Sequence, residues 1–207
     1  MNLPNPNEIK KLYTFYHIPK HIVKHLQTVK ETVLYLATEL NKRGENYNLD
    51  LLSVAAELHD IAKPLTFKRL ERGKAEKFGW DPVPEENFDF WEKERKKFPV
   101  DYLHPEIGAM ILKDYPELAE VVGNHSPKQI LKDGLSKEAI LLNYVDKRSM
   151  DKVVTLEERF SYLADRYGKP KDQDGAKVFA RYKEIEKEIF NKLGFPAEEL
   201  VERMKNN

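Results

Sequence analysis

Apolar side chains return every three or four positions along most of this chain, and no strand-like alternation of useful length appears anywhere in it. Ile22, Leu26, Val29, Val33, Leu36 and Leu40 form one stripe on a helix predicted over residues 19–43, with Pro19 in its first turn and Gly44 at its stop. Asp50 is placed to cap a second helix running to about Ala62. Leu51, Leu52, Val54, Ala55, Ala56, Leu58, Ile61 and Ala62 make that helix apolar nearly all round, so it belongs inside the molecule, and Pro64 ends it. Further helices are predicted from Pro105 to about Lys113, from Pro116 to about Asn124, from Ser136 to Ser149, and over 155–167, 175–193 and 197–205. Gly168, Pro170 and Gly194-Phe195-Pro196 separate the last three. The expected fold class is all-α, a helical bundle.

A chain of 207 residues suits one domain with an insertion. Residues 64–102 stand apart in composition. They hold Phe67, Phe78, Trp80, Phe88, Phe90, Trp91, Phe98 and Tyr102, with Pro82, Pro84 and Pro99 and two basic clusters (Lys68, Arg69, Arg72, Lys74, Lys77, then Lys93, Arg95, Lys96, Lys97). We expect an insertion with its own aromatic cluster, either a lid over a site or a cluster closing one end of the bundle. The helices of 155–207 are amphipathic and rich in Lys and Glu, and are expected to be scaffold offering a surface for homodimerisation. With no cysteine there is no disulfide, thiolate metal site or cysteine nucleophile. Equal numbers of basic and acidic residues, 35 each, argue against general nucleic-acid binding. The most apolar stretch, around Leu51 to Leu58, is far short of the roughly 20 residues of a membrane span, and Met1 to His17 carries no signal-peptide pattern, so a cytoplasmic location is expected.

Chemistry gathers where charge meets this apolar background. His59 and Asp60 are neighbours on the buried helix, and an ionised carboxylate buried without a partner costs several kcal/mol. A protonated His59, a lysine or arginine from elsewhere, or a metal ion must neutralise it. Asp146 follows the apolar run Leu141-Leu142-Asn143-Tyr144-Val145 and makes the same demand. His25 falls on the flank of the first helix's stripe, about 60° from its centre, as a core histidine or a ligand. His104 directly precedes Pro105, at a helix N-cap position, and His125 ends the next helix. His17 and His21 continue the four-residue spacing of His25 outward and read as surface residues.

The order His25, His59-Asp60, His104, His125, Asp146 resembles the HD-domain superfamily of metal-dependent phosphohydrolases. The matching stretches are His25-Leu-Gln-Thr-Val29, Ala56-Glu-Leu-His59-Asp60-Ile-Ala-Lys63, His104-Pro-Glu-Ile-Gly108-Ala109, Val121-Val-Gly-Asn-His125 and Val145-Asp146. The resemblance implies that His25, His59, Asp60 and Asp146 hold one divalent metal. His104 and His125 would hold a second, with Asp60 bridging the two. Such a donor set suits one or two transition ions, Fe or Mn in preference to Zn, Co or Ni, with Mg favoured by sites richer in oxygen. The implied activity is hydrolysis of a nucleotide or other small phosphate ester by metal-activated hydroxide, and bacterial relatives that split a dinucleoside polyphosphate share the motif order. Lys63 lies on the same helical face as His59 and Asp60, and the resemblance places it at the phosphate; its alternative is to complement the helix dipole. Arg148, two residues past Asp146, is a second candidate for the phosphate or a surface ion-pair residue. Two other readings keep the site and change its use: a di-iron oxygenase of the HD-domain type, and a non-catalytic nucleotide-sensing module stabilised by metal.

Overall fold

In a computed structural model the structure describes residues 2–67, 82–167 and 174–206. Ten α-helices make up the described chain, and its only β-type pairing is an isolated bridge between Ser149 and Val153. The first helix, α1 (Pro6–Phe15), is not among those expected from periodicity. A local signal specifies it: Asn5 Oδ1 accepts from the Asn7 and Glu8 amides, and Glu8 returns a carboxylate to the Asn5 amide, a capping box with Pro6 at the first turn.

The central layer is α2 (Lys20–Asn41) against α3 (Leu49–Leu58), the most extensive helix pair of the fold. Ile22, Leu26, Val29, Val33, Leu36 and Leu40 are all buried, as the stripe requires. Each such side chain contributes about 1.5–3 kcal/mol of transfer free energy. Gly44 adopts φ +92 just beyond α2, a left-handed conformation that suits glycine. The second helix differs from expectation at both ends. Asn48, not Asp50, caps α3 by accepting from the Leu51 amide, and the helix stops at Leu58, four residues early. Beyond it the chain tightens into a turn and a 3-10 segment, Lys63–Thr66.

The next helices are α4 (Glu85–Arg95), α5 (His104–Ile111), α6 (Pro116–Gly123) and α7 (Lys137–Asp146). After them come α8 (Leu156–Tyr167), α9 (Asp174–Leu193) and α10 (Leu200–Lys205). α7 and α6 pack on α3, and α9 lays Val178, Tyr182, Ile185, Ile189 and Leu193 along α2 and α7. Among the described residues of the insertion, the rings of α4 are not a separate cluster. Phe88 and Trp91 join the main core, and Trp91 Nε1 donates to Tyr16 O at 2.7 Å. Apolar rings on a helix that meets the α1–α2 corner are drawn into the existing core rather than left as an island. Phe78, Trp80 and the basic run Lys68 to Lys77 lie outside the described residues, as do Gly168 and Pro170. Among the described residues no helix is long and apolar enough to cross a membrane.

Candidate metal centre

The turn after α3 is the pivot of the site. Ile61 N donates to Leu58 O and Lys63 N to Asp60 O, at 3.0 and 2.9 Å, so each hydrogen bond spans three residues instead of four. This tightening splays His59 and Asp60 from one turn at the centre of the bundle. Four other elements converge on them: α2 with His25, the first residue of α5 with His104, the end of α6 with His125, and the last residue of α7 with Asp146. His104 is the first helical residue and Leu103 the cap, one place from the expected register. Gly108 permits the approach of α5, because a Cβ there would meet Val122 Cγ1 at 3.0 Å, with His59 O close behind at 3.9 Å.

Asp60 faces two ways. Its Oδ2 lies 3.8 Å from both His25 Nε2 and His59 Nε2. Its Oδ1 lies 3.2 Å from His104 Nε2 and 3.5 Å from His125 Nε2. Among the described residues these make two groups of three donors, His25, His59 and Asp60, and Asp60, His104 and His125, each compact enough to hold one ion. Asp146 flanks the first group, with Oδ1 3.1 Å from His25 Nε2 and 3.8 Å from His59 Nε2.

The ring tautomers follow from what lies behind each imidazole. The Nδ1 atoms of His25, His59 and His125 face the carbonyls of Met150, Ala56 and Val122 at 3.1, 3.0 and 2.6 Å. A carbonyl only accepts, so each Nδ1 carries a hydrogen, and a neutral ring in this pose turns its Nε2 lone pair inward. His59 Nε2 is buried without a hydrogen-bond partner. His25 Nε2 confronts a carboxylate oxygen, and His125 Nε2 stands 3.1 Å from His104 Nε2. Ring nitrogens and carboxylate oxygens gathered this closely around an orphaned nitrogen are drawn together by a cation between them. Imidazoles oriented by backbone carbonyls are also what metal ligands require behind them. The residues therefore fit a divalent metal.

A fixed cation pairs with each carboxylate. Lys63 Nζ pairs with Asp60 Oδ2, and Lys147 Nζ pairs with Asp146 Oδ2 while donating to His125 O at 3.2 Å. Burial pushes the Asp60 carboxyl upward, but the Lys63 ammonium, with the imidazoles around it, outweighs burial and holds the carboxyl well below the usual range. Asp146 is likewise held low against its burial, by Lys147 first and then His25. Lys147 is itself lowered by burial, with Arg159 and Lys63 adding to the push and Asp146 opposing it. Desolvation dominates the two neutral imidazoles that shift, lowering His59 to about 3 and His104 to about 4.

These shifts set the pH response of the chelated protein. Below about 6.5 the unfolded chain protonates both histidines while the folded chain does not, so stability falls as pH drops from 6.5 toward 4. The loss approaches roughly 1.4 kcal/mol per histidine for each pH unit. The lowered aspartates add a further loss as pH falls below their unfolded value of about 3.9. Thermal unfolding in chelator should show the melting temperature declining from pH 6.5 downward. A flat profile between pH 7 and 5 is incompatible with neutral buried imidazoles.

His25, His59, Asp60, Lys63, His104, His125 and Asp146 come together; Arg148 does not. Its buried guanidinium donates to Val154 O, Tyr144 Oη, Ala197 O and the Glu186 carboxylate, which commits four of its five N–H groups away from the ligands. On the turn that ends α7 the side chain is carried round toward α9, away from Asp146. His17 and His21 also stay outside the two donor groups, against Phe90 and Phe67 respectively. Sequence reasoning passed over Lys147 and Asn143. Asn143 Nδ2 donates to the carbonyls of Asn124 and Ser126 at 2.7 and 3.0 Å, and its Oδ1 accepts from Tyr182 Oη. Together with Lys147 on His125 O, α7 thus grips three consecutive carbonyls and fixes the His125 backbone. An amide inside the apolar run Leu141 to Val145 and an ammonium directly after Asp146 were the signal for both.

The HD domain family matches residues 22–169, most of the chain and all of the converging residues. The protein belongs to the HD-domain family, a superfamily of metal-dependent hydrolases. No curated protein and no solved structure matches it.

Proposed function

We propose that this protein is a metal-dependent phosphohydrolase acting on a small phosphate ester, with a nucleotide as the favoured class. The observation that carries the reading is the two-sided environment of Asp60, one oxygen toward each pair of imidazoles. His25, His59, Asp60 and Asp146 would hold one ion, and Asp60, His104 and His125 a second. Fe or Mn is the preferred metal. Ions held there supply Lewis acidity to a phosphoryl oxygen and a nucleophile at neutral pH. The protein's own residues supply the rest. Lys63 sits beside Asp60 with its side chain partly open to solvent, placed to receive a non-bridging phosphate oxygen. His104 keeps 27% of its side chain exposed and marks the side from which substrate enters. Beside it Val100 and Leu103 are 95% and 59% exposed, next to the partly open Tyr102. Arg95 organises this stretch by donating to the carbonyls of Phe98, Pro99, Val100 and Tyr102. A base or other flat apolar group can lie on it.

Phosphomonoesters, cyclic nucleotides and dinucleoside polyphosphates should be screened with Mn- and Fe-loaded protein. Metal-stimulated release of phosphate or nucleotide from at least one of them is expected. Bound metal with no turnover on any of these substrates counts against hydrolysis, and oxygen consumption by the iron form would redirect the assignment to an oxygenase.

A further inference from the structure

A second orphaned polar atom lies at the centre, of opposite kind to the first. Arg159, on α8, is 7% exposed, and its Nε is buried with no hydrogen-bond partner. Its Nη2 stands 3.6 Å from Asp146 Oδ1, the same oxygen that faces His25 Nε2 and His59 Nε2. An unpartnered imidazole lone pair calls for a cation; an unpartnered guanidinium N–H calls for an acceptor. Leaving a buried charged donor unsatisfied costs more than leaving a neutral one so. Three buried or half-buried cations, Lys63, Lys147 and Arg159, surround two carboxylates, so the protein side of the site is already cationic before any metal enters. Lys63 and Lys147 are each engaged by a carboxylate oxygen in close contact. Arg159 reaches its carboxylate only at long range and keeps Nε uncommitted. The Tyr162 ring under the guanidinium, 5.6 Å from Cζ, holds the group in place without occupying a donor.

We propose that Arg159 is a substrate contact, its Nε and Nη groups donating to the oxyanion of a phosphoryl group beside the metal ligands. This deepens the phosphohydrolase reading and rests on it. A planar guanidinium matches a phosphate with two parallel hydrogen bonds, which an ammonium cannot reproduce.

The test uses the full-length Mn-loaded protein with inorganic phosphate as the binding probe and p-nitrophenyl phosphate as the turnover probe. Arg159→Gln is expected to weaken phosphate binding by about tenfold to a hundredfold, the range for losing a charge-assisted hydrogen-bond pair, with metal content per chain unchanged. Arg159→Lys, which keeps the charge and loses the fork, should show a smaller loss of the same kind and serves if the Gln variant does not fold. Phosphate affinity within about twofold of wild type in both variants overturns the inference while leaving the hydrolase reading intact. So does a loss of metal that accounts for the whole loss of phosphate binding, since Arg159 would then merely orient Asp146. A wild-type protein that holds metal yet neither binds phosphate nor turns over p-nitrophenyl phosphate or any of the phosphate esters screened above overturns both.

Discussion

Asp60→Asn empties both metal positions at once. Each of the other residues serves one donor group, whereas Asp60 contributes an oxygen to both, so both groups lose an anionic donor at once and only Asp146 remains, beside His25 and His59. The substitution changes the site by one electron charge and a few atoms, yet an amide offers a metal one weak neutral oxygen where a carboxylate offers two anionic ones. Metal per chain should fall to near zero, and turnover by about a thousandfold or more, as the loss of several kcal/mol of transition-state charge stabilisation implies. Stability should also fall. Without metal the wild-type carboxylate is a buried charge that Lys63 stabilises by more than its desolvation costs, and a neutral amide in its place leaves the Lys63 ammonium without its partner. The chelated variant should therefore melt below the chelated wild type. Added Mn should raise the melting temperature of the wild type alone, because only the wild type binds in its folded state. Elemental analysis with calorimetry reads both. Retention of metal and turnover in the variant would remove Asp60 from the centre.

The converging residues were legible in the sequence through a motif order that resembles the HD-domain superfamily, and burial cost alone marked Asp60 and Asp146 as needing a partner. Carboxylates at Asp60 and Asp146 and imidazoles at His25 and His125 sit within strongly apolar surroundings, where physics permits them only with a partner. The main helices were legible from their stripes, and Gly44 from its stop. What escaped notice is equally physical. α1 is short and mostly exposed, so its signature lies in the capping residues Asn5 and Glu8, not in an apolar period. The end of α3 depends on a turn whose residues are as apolar as the helix before it, and periodicity cannot see a change from four-residue to three-residue hydrogen bonds. Arg148 and Lys147 are adjacent cations on one short turn. Which of them faces Asp146 is decided by the turn's rotation and by what α9 offers on the other side, and Glu186 lies 38 residues farther along the chain.

That long-range partner makes Arg148→Ala the most destabilising single change we expect. The Arg148 guanidinium and the Glu186 carboxylate are 5% and 10% exposed, and Tyr144 Oη donates to the same carboxylate oxygen at 2.9 Å. Lys183 holds the other Glu186 oxygen at 2.7 Å, from the solvent side. Removing Arg148 strands a buried anion and frees the carbonyls of Val154 and Ala197, which tie the 149–153 loop and the C-terminal segment to α7. Breaking a buried pair from one side costs about 3–5 kcal/mol, and with Lys183 still present the lower end is expected. For a chain of this length that is a fall of about 10 °C in melting temperature. KM and turnover per bound metal should stay within about threefold, because no Arg148 donor points at the ligands. Replacing both partners, as Arg148→Met with Glu186→Leu, should recover most of the stability, since two apolar groups of similar volume carry no desolvation penalty. If Arg148 instead bound the substrate phosphate, the single variant would raise KM with little thermal effect, and the double replacement could not rescue it.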